Sequence, residues 1–162
     1  MFIKLNISIR GMRRYLFVCL ANRNRSPYAA RWFSKYCTRT GIEAEVKSAG
    51  LEAEYVPIID KRKPVKLTPE LVRWADEILV MDSDLERTMF KRFPNANRKT
   101  SCLNIPDIFD PGYEEPPFIS EMSVEEALEH FNIARTGYNH IGGHVFEKVL
   151  QARLEEIFGF KF

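Results

Sequence analysis

A continuous apolar run, Tyr15-Leu16-Phe17-Val18, ends on Cys19, and the chain then passes through Asn22, Arg23, Asn24 and Arg25 before Ser26-Pro27 opens a stretch of helical periodicity. A short apolar run without alternation suits a strand buried on both faces, as in a parallel sheet. Proline is well tolerated at a first helical position. The stretch therefore reads as strand, loop and helix, and it gathers a thiol, a guanidinium and a hydroxyl where helix N-terminal amides favour an anion. Phosphoryl transfer through cysteine is the chemistry that fits this grouping.

Further along, the same alternation repeats. Ala29, Ala30, Phe33, Tyr36 and Cys37 recur at helical spacing and Gly41 closes that helix. Glu43 to Ser48 reads as a second strand, followed from Gly50 to Lys66 by a polar, proline-containing connection without periodicity. Thr68 as cap and Pro69 at the first helical position start a short helix with Leu71, Val72 and Ala75 inward. Ile78 to Met81 is a third strand, and Ser83 with Glu86 form a capping box for a helix carrying Leu85, Met89 and Phe93. Cys102 to Ile105 is expected as the fourth strand. A Pro-, Asp- and Glu-rich stretch follows to Met122, then a capping box at Ser123 and Glu126, and Val145 to Phe158 stripe a last helix. Strands alternating with helices predict an α/β fold, a three-layer doubly wound parallel sheet of four strands with helices on both faces. Ligands in such sheets collect at the carboxyl ends of the strands.

With 162 residues, 45% of them hydrophobic, the expectation is one domain with a substantial core. The 24 basic residues against 22 acidic ones leave a net charge of +2, which does not support nucleic-acid or polybasic membrane binding. Three cysteines, with no sulfur pair at zinc-ligand spacing, indicate neither a disulfide framework nor a metal site, and point to a reducing cytoplasm. Lys4, Asn6, Ser8 and Arg10 interrupt any secretion-signal core, so residues 1 to 11 read as a short extension and Met12 as an alternative start. No segment is apolar for long enough to span a bilayer.

Phe17 to Pro27, Ser48-Ala49-Gly50, Trp74 to Asp82 and Ile105-Pro106-Asp107 together resemble the low-molecular-weight protein tyrosine phosphatase family, in order and spacing, over roughly residues 14 to 111. The resemblance is to the shorter microbial members. It implies the strand order 2-1-3-4 and hydrolysis of phosphotyrosine-like monoesters through a phosphocysteine, with inorganic phosphate as product and neither metal nor cofactor. Carried over, Cys19 resembles the nucleophile, Arg25 the phosphate clamp, Asn22 the loop-stabilising amide and Ser26 the hydroxyl supporting the thiolate. Leu20, Ala21, Arg23 and Asn24 complete the phosphate loop. Asp107, directly after the fourth strand, and Asp110, in an Asp-Pro pair, are the candidates for the general acid, with Asp107 slightly preferred. Phe109 and Tyr113 are candidates for an aromatic wall. Departures are expected to matter: Ala21 stands where the family has glycine and would strain the loop if positive φ were required there, Asn24 replaces a frequent second cysteine, Arg23 replaces a frequent apolar residue, and residues 112 to 141 look inserted.

Each of these residues also has a plainer reading. Aspartate beside proline commonly initiates turns, Phe109 and Tyr113 can simply pack, and Cys37 and Cys102 suit small buried hydrophobes. His130, His140 and His144 lack persuasive metal-ligand spacing, and Lys61-Arg62-Lys63 is a solvated loop face able to draw acidic substrates. Two other functions share the loop. Arsenate reduction needs resolving cysteines, and Cys102 two strands from Cys19 would be too far to serve; a non-catalytic module would instead hold a phosphorylated partner. Phosphoarginine is an alternative substrate, which Arg23 near the entrance would disfavour.

Overall fold

The computed structural model describes residues 11–23, 25–53, 63–105 and 143–161. The chain divides into two compact units, Met1–Asn104 and Ile105–Phe162.

Within the first unit, strands β1 (Arg13–Cys19), β2 (Ala44–Gly50), β3 (Glu77–Val80) and β4 (Thr100–Cys102) form one parallel sheet in the order β2-β1-β3-β4. The expected strand order holds. Central β1 is apolar from Tyr15 onward because it has a strand on each side and helices above and below; Tyr15, Leu16, Phe17 and Val18 are fully buried. Edge strand β2 alternates instead, exposing Glu45 and Lys47, and a charged edge discourages pairing with another chain.

Helix α1 (Arg25–Thr40) connects β1 to β2, whereas α2 (Pro69–Trp74) and α3 (Ser83–Arg92) lead towards β3 and β4 in the opposite direction across the sheet. Right-handed crossovers then put α1 on one face and α2 and α3 on the other. Ring contacts agree: Phe33 of α1 lies 4.8 Å from Tyr15, edge-on, and 5.4 Å from Phe17, two residues that share one face of β1. Burying aromatics of this size is worth roughly 1.5–3 kcal/mol each. Gly41, at φ +73°, ends α1, and the Ile42 N–H donates back to the Cys37 carbonyl at 2.9 Å, closing the turn as a left-handed cap does.

Several boundaries differ from expectation: β2 and β3 are shifted by one or two residues, and three further shifts concern α1, α3 and β4. Helix α1 starts at Arg25, two residues before Pro27. The cap of α3 is Asp82, whose Oδ1 accepts from Asp84 N at 3.1 Å and Leu85 N at 2.9 Å, so Ser83 becomes the first helical residue; a carboxylate accepts these amides well and also favours the helix dipole. The fourth strand is Thr100–Cys102 rather than Cys102 to Ile105, because a 3₁₀ helix, Pro94–Lys99, brings the chain to the sheet edge sooner. Short α2 has the expected cap, Leu71 N donating to Thr68 Oγ1 at 3.3 Å, and its far end is held by Lys99 Nζ donating to the Val72 and Ala75 carbonyls at 2.5 and 2.6 Å.

In the second unit, helix α4 (Gly143–Phe158) carries buried Leu150 and Leu154 one turn apart. No helix among the described residues is long and apolar enough to cross a membrane.

Candidate active site

Register places the strand ends together. Cys19 pairs with Gly50, and Val18 with Val80, which pairs with Cys102. The carboxyl edge therefore collects Cys19, the turn after Gly50, and Asp82 just past β3.

Cys19 is 4% exposed, and its sulfur has two polar neighbours: the Asn22 N–H donates to Sγ at 3.2 Å, and Ser26 Oγ lies 3.0 Å away. Ser26 Oγ itself accepts from Asn22 Nδ2 at 3.0 Å, and the Ala49 carbonyl stands 3.3 Å off. With that amide occupying a lone pair, the single hydroxyl proton has two acceptors in reach, the Ala49 carbonyl at 3.3 Å and the sulfur at 3.0 Å, and pointed at sulfur it stabilises negative charge there. The amino-terminal end of α1 adds its dipole to the same effect.

Asn22 is the knot of the loop. Its Nδ2 also donates to Ser48 Oγ at 2.8 Å, and its Oδ1 accepts from Val65 N at 2.8 Å. Asn22 has φ +52°, a left-handed conformation that asparagine tolerates better than most residues. Ala21 is not among the positive-φ residues, so the strain expected from losing a glycine there does not arise. The glycine the loop does need is on the next strand: a Cβ at Gly50 would lie 2.7 Å from Leu20 O and Asn22 N and 2.8 Å from Ala21 C.

Arg25 is 3% exposed, and a buried guanidinium requires compensation. Asp82 supplies it, accepting from Arg25 Nη1 at 2.8 Å through Oδ2 while Oδ1 caps α3. One carboxylate thus ties the arginine to a rigid helix end. This pairing, and the bond from Asn22 to Ser48, were not foreseen from the sequence; the Met81-Asp82 step after an apolar strand was the available signal.

Leu20 is exposed and Ala21 and Arg23 are half-buried. Asn24, Asp107, Phe109, Asp110 and Tyr113 lie outside the described residues, as do Lys61, Arg62, His130 and His140. Cys37 is buried on α1, and burial pushes its thiol up to about 11. Burial likewise raises the Cys102 thiol, with the Glu86 and Asp82 charges adding to it. Cys102 sits two strands from β1, roughly 9–10 Å at the usual spacing, beyond the reach of a disulfide to Cys19. Among the described residues no group of three His, Cys, Asp or Glu side chains is placed to hold a metal ion.

A thiol at the carboxyl end of a central parallel strand, with an amide and a hydroxyl at its sulfur and a buried arginine held by Asp82 at the start of the following helix, defines a class: a cysteine-based phosphatase. Comparison with known proteins agrees. Residues 14–65 match the family model described as low molecular weight phosphotyrosine protein phosphatase. The protein-arginine-phosphatase of Geobacillus stearothermophilus is 34% identical over 104 residues, 56% of this chain and 68% of that protein. Among solved structures, a YwlE mutant from Bacillus subtilis has a TM-score of 0.61 at 22% identity, covering 90% of this chain and 93% of its own. A low molecular weight protein tyrosine phosphatase from Bacillus subtilis has a TM-score of 0.59 at 21% identity, covering 90% and 91%. The chain belongs to the low molecular weight phosphotyrosine protein phosphatase family, and is a cysteine-based phosphatase that works without a metal.

Proposed function

We propose that this chain removes phosphate from protein side chains, phosphotyrosine-like esters first among them, by a two-step displacement at Cys19. In the first step the Cys19 thiolate attacks phosphorus, forming an S–P bond as the ester P–O bond breaks, and the departing oxygen takes a proton from a carboxylic acid. Asp107 and Asp110 are the candidates for that acid. In the second step the same carboxylate accepts a proton from water as the water attacks phosphorus, releasing inorganic phosphate and the thiolate.

Arg25 is suited to holding two phosphate oxygens at once, in a fork that lysine cannot reproduce. Leu20, Ala21, Arg23 and Asn24 supply the loop whose amides receive the remaining oxygens. Ser26 stabilises sulfur both as nucleophile and as leaving group. The observation that carries the reading is the sulfur's own surroundings, Ser26 Oγ at 3.0 Å and the Asn22 amide at 3.2 Å, beside an arginine already fixed by Asp82.

A second substrate class has its own support, since a relative 34% identical over 104 residues is named a protein-arginine-phosphatase. Phe109 and Tyr113, as an aromatic wall, would favour an aryl group, and the charge of Arg23 would oppose a guanidinium. Hydrolysis of a phosphotyrosine peptide and a phosphoarginine peptide, measured side by side in chelator with wild type and Cys19→Ser, tests both levels. Wild type is expected to prefer the aryl ester and Cys19→Ser to be inactive. Preference for phosphoarginine would reverse the substrate order, and activity in Cys19→Ser would remove the mechanism.

We read the whole chain as one catalytic domain with residues 1–11 as an extension and 112–141 as an insertion before the last helix. A cytoplasmic location suits a nucleophile that must stay reduced.

A further inference from the structure

The anion loop is braced from behind by the turn after β2. Leu51 N donates to the Cys19 carbonyl at 3.0 Å and Glu52 N to the Leu20 carbonyl at 2.8 Å. In a planar trans peptide the C=O and N–H point opposite ways, so pinning these two carbonyls turns the Leu20 and Ala21 N–H groups away from the turn. Two of the amides available to a bound oxyanion are therefore oriented by residues 51 and 52.

The position of that turn is fixed in two ways. Gly50, immediately before it, cannot retreat, because its N–H donates to the Val65 carbonyl and its carbonyl accepts from Leu67 N, both at 2.8 Å. On the other side Arg92, in the last turn of α3, donates through Nη1 to the Leu51 carbonyl at 3.0 Å and through Nη2 to the Glu52 carboxylate. Its side chain is 44% exposed and that of Glu52 26%, a setting in which an ion pair adds little to stability. The geometry of the pair is nonetheless specific: one planar guanidinium reads a backbone carbonyl and the next residue's carboxylate. Helix α3 thus reaches the site from both ends, through its cap Asp82 on Arg25 and through Arg92 on the turn behind Cys19 and Leu20.

We infer that Arg92, remote from sulfur in sequence and outside the anion loop, is a positioning residue for phosphate binding. It acts by holding the turn 51–52 that orients the loop amides. The role rests on the phosphatase reading above and specifies how that site is kept in register.

The test compares wild type, Arg92→Ala, Arg92→Lys and Glu52→Gln by kcat and KM on an aryl phosphate, by inhibition with inorganic phosphate, and by phosphate protection of Cys19 from iodoacetamide. Thermal unfolding is followed in parallel. Loosening the amides by a fraction of an ångström is expected to weaken phosphate inhibition and lower kcat/KM about tenfold in Arg92→Ala. Arg92→Lys, with one donor group for two acceptors, falls between, and Glu52→Gln loses least because Arg92 keeps the Leu51 carbonyl. Melting temperatures should differ little across the set. A wild type protected by phosphate, with Arg92→Ala and Arg92→Lys equally protected and equally active, overturns the role alone. A wild type that neither turns over nor is protected overturns the phosphatase reading, and the role with it.

Discussion

Asp82 has two oxygens with separate tasks, one capping α3 and the other holding Arg25, and substitution can separate them. Serine keeps a capping oxygen but is too short to reach the guanidinium, whereas asparagine, with a single acceptor oxygen, serves either the cap or the guanidinium but not both, and carries no charge. Asp82→Ser is therefore expected to lower kcat/KM by roughly tenfold to a hundredfold, with thermal unfolding close to wild type, and Asp82→Asn to lie between. Steady-state kinetics with a melting curve checks this; losses that simply follow the melting temperature would mean the carboxylate matters only to the fold. The grouping of Cys19, Arg25 and Ser26 was legible in the sequence because a thiol, a guanidinium and a hydroxyl occur together at a strand-to-helix step. Asp82's ion pair was not, because contacts across 57 residues leave no local pattern.

At the level of elements, β1 is anchored at its start as well as at its Cys19 end. Asp76, entering β3, accepts from Arg14 N at 2.9 Å, from Nε at 3.2 Å and from Nη2 at 3.0 Å. The Arg14 guanidinium holds the Asp76 carboxyl below its ordinary value of 3.8. A carboxyl depressed in the folded state contributes stability above its unfolded value, and that contribution is lost as pH falls through the folded value. The wild type should thus lose melting temperature below about pH 4 more steeply than Asp76→Asn, whose stability is lower at neutral pH and flatter in acid. Parallel acid limbs in the two proteins would show that the clasp contributes nothing. The sequence pattern located the described α-helices and strands but not the 3₁₀ helix, and boundaries moved where local chemistry competed. Asp82 displaced Ser83 as a cap because its carboxylate can serve two amides and an arginine together. Residues 94–99 formed a 3₁₀ turn after Pro94 and moved the last strand two residues earlier than its apolar run suggested.

For the whole molecule, the parallel order β2-β1-β3-β4 places Cys19, Gly50 and Asp82 on one edge, and that placement turns scattered residues into a site. The order followed from alternation and handed crossovers together with the family resemblance. The brace from Arg92 depends on two elements meeting around a loop, and only coordinates reveal it. The proposed two-step displacement requires a covalent bond between phosphorus and one sulfur. Wild-type protein mixed with an aryl phosphate in chelator, quenched in acid within one turnover and digested for mass spectrometry, should carry a phosphoryl group on the peptide containing Cys19, and Cys19→Ser should release no phenol. A phosphoryl group found on any other side chain, or steady turnover with Cys19 unmodified at every quench time, would contradict it.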